Sequence, residues 1–144
     1  MKHVKRICLL LSLLLALSAV GCGKSGPKGD GKIDVDLTAL SSTMVYSEVY
    51  NMMSDPDSYL GKTVRMRGAF SIYHDEATDV NYYACLIADA TACCQQGLEF
   101  VLEGNFKYPD DYPELGTEIT VTGTFETYTE GEYLYCHLVS ATMG

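Results

Sequence analysis

Hydrophobic residues recur at helical spacing up to residue 54 and then switch to strict alternation. Val45, Val49, Met52 and Met53 fall three to four apart, which predicts one amphipathic helix over Ser41 to Ser54. Ser42 or Thr43 can cap its start, Asp55-Pro56 ends it, and the two methionines read as core filling. From Gly61 to Phe70 the pattern has period two, with Val64, Met66 and Phe70 on one face. Gly116 to Phe125 repeats the same layout, G-x-x-[VI]-x-[MV]-x-G-x-F. In both segments a glycine takes an inward position, where it lets a strand coil sharply or a neighbour approach closely. Three further strands follow from alternation: Asn81 to Asp89; Gly97 to Glu103, with Leu98, Phe100 and Leu102 inward; and Glu132 to Thr142, with Leu134, Cys136 and Leu138 facing one way. Turn signals separate them at Asp75 to Asp79, around Cys93-Cys94, between Asn105 and Gly116, and at Glu130-Gly131.

One helix followed by five strands predicts a mainly β domain over residues 41–144. Two bent glycine strands and a long link between the third and fourth strands resemble the OB-fold, a five-stranded Greek-key barrel. The link, Gly104 to Pro113, is too proline-rich for the helix that many OB-folds carry there. A small β-sandwich or an SH3-like barrel is the rival architecture.

The N-terminus bears on location. Lys2, Lys5 and Arg6 precede the apolar run Ile7 to Leu17, which is too short for a comfortable membrane span and suits a signal peptide. Leu17-Ser18-Ala19-Val20-Gly21-Cys22 resembles the bacterial lipobox, in which a peptidase accepts only small side chains beside the cut and the cysteine thiol takes a lipid. Ala19 stands where that family usually has Leu. The resemblance implies a signal peptide over residues 1–21, lipidation at Cys22, and a location on the extracytoplasmic face of the cell membrane. Residues 22–40 begin with a glycine-rich charged run and read as a flexible tether.

Removing the signal leaves seven basic residues against 19 acids, a charge near −12. Such a chain is repelled by phosphate backbones and by anionic lipid, so its membrane link is expected to be covalent and nucleic acid is disfavoured as a partner. The segment Tyr59-Leu60-Gly61-Lys62-Thr63-Val64-x-x-x-Gly68, the Asp89/Cys93-Cys94 segment and the tyrosine-rich last strand resemble OB-type domains of lipoproteins from Gram-positive anaerobic bacteria, over Tyr59 to Met143. The resemblance carries a fold and an address, without a ligand.

Four cysteines remain beyond residue 22: Cys85, Cys93, Cys94 and Cys136. Outside the cytoplasm an even count favours disulfides, and four cysteines allow three pairings. A bond between the neighbours Cys93 and Cys94 needs a strained ring, so one of them with Cys85 or Cys136 is the better pairing. Such a bond closes a loop worth about 3–4 kcal/mol in the chain-entropy model. Zinc held by these thiolates, with His74 or His137 as weaker candidates, is the functional alternative, although no Cys-x-x-Cys spacing supports it. Reduced, buried thiols are the third reading. His137 follows Cys136 and should face the opposite side of its strand.

No G-x-S-x-G, no glycine-rich phosphate loop and no nucleophile with an evident base occurs, so an enzyme is not the expectation. The reading is a lipid-anchored binding or interaction module for a protein, glycan or small ligand, without a required cofactor. Zinc binding and single-stranded nucleic-acid binding are the alternatives. Tyr82 and Tyr83 are the ligand-face candidates, because OB barrels place aromatic residues on their second and third strands.

Overall fold

A computed structural model describes residues 31–144 apart from Ala90 and Ala92. The signal peptide, Cys22 and the glycine-rich run to Asp30 lie outside the described residues. Within them the protein is mainly β, with six strands in one sheet and one α-helix.

The helix, α1, spans Ser42–Ser54 and presents Val49 and Met52 to the core, both fully buried. Val45, one turn earlier, packs partly against it. Two expectations are corrected here. Met53 sits a third of a turn round from Met52 and is 39% exposed. Ser42 and Thr43 lie inside the helix; Ser41 holds the N-cap position, and its hydroxyl makes no capping bond. The C-terminal stop is as read: the residue before a proline is pushed out of the helical region, and Asp55 sits at φ −135°, ψ 68°.

Strand β1 is the pair Val35–Asp36, parallel to the start of β2. It was not expected, because two residues carry no periodicity. Residues from Asp34 onward, read as tether, are therefore docked. Asp34 N–H donates to the Thr63 carbonyl at 2.9 Å, its carboxylate accepts from Thr63 N–H at 2.9 Å, and Leu37 is buried.

The long strands are β2 (Thr63–Asp75), β3 (Val80–Ala88), β4 (Gln95–Leu102), β5 (Glu118–Glu130) and β6 (Tyr133–Met143). Each overlaps the segment that alternation predicts, with the predicted bounds running one or two residues beyond one end of the strand. The order is β1-β2-β3-β4-β6-β5, and β2 also pairs with β5. Every long strand therefore has two hydrogen-bonded long-strand neighbours. All these pairings are antiparallel except β4 with β6. Strand β2 manages three partners by dividing its length: Val64–Arg65 meet β1, Ala69 to Asp75 meet β3, and the opposite edge of residues 63–69 meets β5.

The predicted inward residues fill the core. Val64, Met66, Phe70, Leu98, Phe100, Val121, Phe125 and Leu138 are each at most 2% exposed. Removing a Phe or Leu side chain from water contributes about 1.5–3 kcal/mol each. Leu134 departs from the reading: it is 60% exposed, because the β5–β6 hairpin runs past the end of the core before turning at Gly131. The link from Glu103 to Thr117 contains no helix, as its prolines require.

Candidate functional site

Each predicted site residue has a distinct environment. Cys85 lies wholly in the core, and burial pushes its thiol up to about 12. Cys136 is half-buried against the core. Cys93 and Cys94 are exposed on the β3–β4 turn, and all four are thiols. That turn is organised by Asp89, whose Oδ1 accepts from the N–H groups of Thr91 and Cys93 and from the Thr91 hydroxyl. His74 Nδ1 lies 2.9 Å from Asn81 Oδ1, and its Nε2 lies 3.7 Å from the Asp79 carboxylate. The His137 ring rests 4.7 Å from the Tyr128 ring, on a different surface from Cys136. Among the described residues, no three of these or other His, Cys, Asp and Glu side chains converge as a metal-ligand set.

Tyr82 and Tyr83 stand together at a built feature. The β3–β4 ladder runs from Ala88↔Gln95 to Ala84↔Glu99 and stops there. Both strands continue, Val80–Tyr83 on one side and Phe100–Leu102 on the other, with no mutual register. Where they part, a cleft of about 250 Å³ opens. Its walls include Tyr82, Tyr83, Glu99, Phe100, Phe106 and Tyr112.

Aromatic rings hold the cleft in shape. Tyr83 stacks on Tyr112 with ring centroids 4.2 Å apart and planes 17° apart. Both also lie beside Phe70, at 6.3 and 5.6 Å, and Tyr108 reaches 6.2 Å from each of them. Stacked and tilted ring pairs at these separations contribute about 0.5–1.5 kcal/mol each beyond burial. Two of the rings, Tyr108 and Tyr112, come from the β4–β5 connection, where each precedes a proline. Lys107 N–H donating to the Asp111 carboxylate at 2.8 Å and Asp111 N–H donating to the Lys107 carbonyl at 2.9 Å tie the loop that carries both rings.

The rim is acidic. Tyr128 hydroxyl donates to Glu99 Oε2 at 2.6 Å, and Tyr82 hydroxyl donates to Glu130 Oε1 at 2.7 Å. The bond to Glu130 pushes the Tyr82 phenol up to about 12; burial and then the bond to Glu99 raise Tyr128 further. Both phenols therefore stay neutral donors to these carboxylates at neutral pH. Burial lowers His137 against the opposing pull of Glu126 and Glu99, so it is predominantly uncharged at neutral pH. Sequence reasoning missed Glu99, Phe106, Tyr112 and Tyr128. The repeated Tyr-Pro in Tyr108-Pro109-Asp110-Asp111-Tyr112-Pro113 was the available signal for ring anchors, but it reads first as a turn.

A larger open hollow, about 490 Å³, lies between the start of α1 and β2–β3, with Leu37, Val45 and Ile87 among its walls and Arg67 and Glu118 offsetting each other in charge. Comparison of the chain with protein-family models, curated proteins and solved structures returned no match.

Proposed function

We propose that this protein is a binding module: a closed OB-type Greek-key barrel, held outside the cell membrane by a lipid on Cys22, that receives a ligand where β3 and β4 part. The pairing of β2 with both β3 and β5 supports closure, because the ladder returns to its first long strand. One parallel pair, β4 with β6, among antiparallel neighbours agrees with the OB type. The lipid anchor rests on the lipobox-like Leu17 to Cys22. The observation that carries the binding role is the cleft itself, a concave aromatic surface with a few convergent polar groups. The aromatic faces suit stacked bases, but from Leu60 onward four basic residues face 13 acids, which opposes a phosphate backbone.

The test has two readings on one preparation, the detergent-extracted protein from a bacterial host. Its intact mass is expected to match a chain beginning at a diacylglyceryl-modified Cys22; an unprocessed N-terminus overturns the anchor. A small-molecule fragment screen read by amide resonances is expected to move Tyr82, Tyr83 and Phe106 together. A screen whose every hit moves residues elsewhere overturns the binding role of the cleft.

A further inference from the structure

We infer that the β3–β4 cleft is a site for a small organic cation, an ammonium or quaternary ammonium group held over the tyrosine rings and beside Glu99; this deepens the binding role proposed above and rests on it.

Three observations meet there. The walls are aromatic: Tyr82, Tyr83, Tyr112 and Phe106 line the space, and aromatic rings attract cations by their quadrupoles. The chain makes this contact elsewhere, with Lys62 Nζ 4.8 Å from the centre of the Tyr59 ring. Next, the carboxylates at the rim are satisfied by neutral donors. Glu99 and Glu130 accept from Tyr128 and Tyr82. The base facing Glu99 across the ladder, His137, is held below the usual imidazole range by burial, so it does little to offset that carboxylate. Last, the connection beside the cleft carries Lys107 among Glu103, Asp110, Asp111 and Glu114, and the chain beyond residue 21 is near −12, a field that concentrates cations.

Size narrows the class. About 250 Å³ lies just below the usual range for drug-sized ligands, so one cationic head with a short tail fits and an oligomer does not. An anionic ligand would face Glu99 as a like charge.

The experiment titrates the full chain in detergent micelles with choline, with butylammonium, and with 3,3-dimethylbutanol, the uncharged carbon isostere of choline, reading amide resonances. Choline and butylammonium are expected to shift Tyr82, Tyr83, Glu99 and Phe106, and choline to bind about tenfold more tightly than the isostere, a ratio of about 1.4 kcal/mol. Glu99→Gln should weaken choline by about fivefold and leave the isostere unchanged. Phe106→Leu, which keeps apolar area but removes a ring without a hydrogen-bonding group, reads the π contribution by itself and covers the case in which the Glu99 variant does not fold. Equal binding of choline and isostere in the cleft overturns the cation inference and leaves the binding module standing. Silence of the cleft toward all three probes overturns the cation inference, and the fragment screen then decides the wider reading.

Discussion

The backbone around Leu86 of β3 is gripped from both edges by glycines, at the Leu86–Ile87 peptide on one side and the Cys85–Leu86 peptide on the other, and this sets a measurable penalty for adding one methyl group. A Cβ at Gly68 of β2 would fall inside contact distance of the Leu86 carbonyl oxygen, 2.9 Å from its carbon and 3.1 Å from Cys85 Sγ. A Cβ at Gly97 of β4 would strike the Cys85 carbonyl oxygen, with its carbon and Leu86 Cα both at 3.0 Å. Neither glycine has a positive φ, so the cost is packing alone. Overpacking costs about 1–3 kcal/mol, and the upper end applies because the obstacle is backbone and no rotamer relieves it. Loss of glycine's freedom in the unfolded chain returns about 0.5 kcal/mol. Gly68→Ala and Gly97→Ala should each destabilise by about 2.5 kcal/mol, lowering Tm by about 10 °C in a domain of this size. Gly123→Ala, whose nearest atoms lie at 2.9 to 3.1 Å, should cost about 1–2 kcal/mol. The double variant Gly68→Ala/Gly97→Ala should cost less than the sum, since both methyls displace the backbone of the same residue, Leu86. Urea unfolding followed by circular dichroism reads all four. Single variants within about 0.5 kcal/mol of the parent, or a Gly123→Ala costlier than either, would refute the clamped strand.

After reduction, alkylation near pH 8 should label Cys93 and Cys94 fast and Cys136 slowly, while Cys85 reacts only on unfolding, because burial raises its pKa to about 12 and suppresses the thiolate; similar rates at Cys85 and Cys93 in peptide mass maps would contradict its place in the core. Tyr59, raised to about 12 by burial and its bond to Glu48, and Tyr82, raised to about 12 by Glu130, should ionise about two units above ordinary phenols in a tyrosinate absorbance titration. A raised folded pKa means their contribution to stability is whole below about pH 10 and is lost as pH climbs through about 12, so melting temperature should fall across that window; Tyr82→Phe should reduce the loss, and an unchanged profile would count against the Tyr82–Glu130 bond.

How far the sequence foretold this molecule depends on how local the cause is. The helix and all five long strands were legible because each buries one face, and the burial period is written directly in residues such as Val49 and Met52 or Val64, Met66 and Phe70. The glycines at 68 and 123 were legible for the same reason, since each interrupts an inward row. Gly97 was not, because it begins its segment and its constraint comes from β3. Strand β1 and the docking of Leu37 depend on an edge of β2 more than 25 residues away. The unexpected exposure of Leu134 arises because alternation continues along a hairpin after the core has ended.

The cleft was half legible for a deeper reason. Alternation assigns Tyr83 and Phe100 to the inside and Tyr82, Glu99 and Val101 to the outside, and on a paired sheet those two sets never meet. The ladder between β3 and β4 ends at Ala84↔Glu99, and nothing in the period of either strand encodes that ending. Once the strands part, inner and outer residues line one space, and the connection fills its inner side with Tyr112. The site's chemistry, rings below and a carboxylate at the rim, is therefore a product of pairing topology. A ligand there would touch both faces of the sheet at once. Restoring the ladder beyond Glu99 would return each set to its own side and abolish the site while leaving every residue in place.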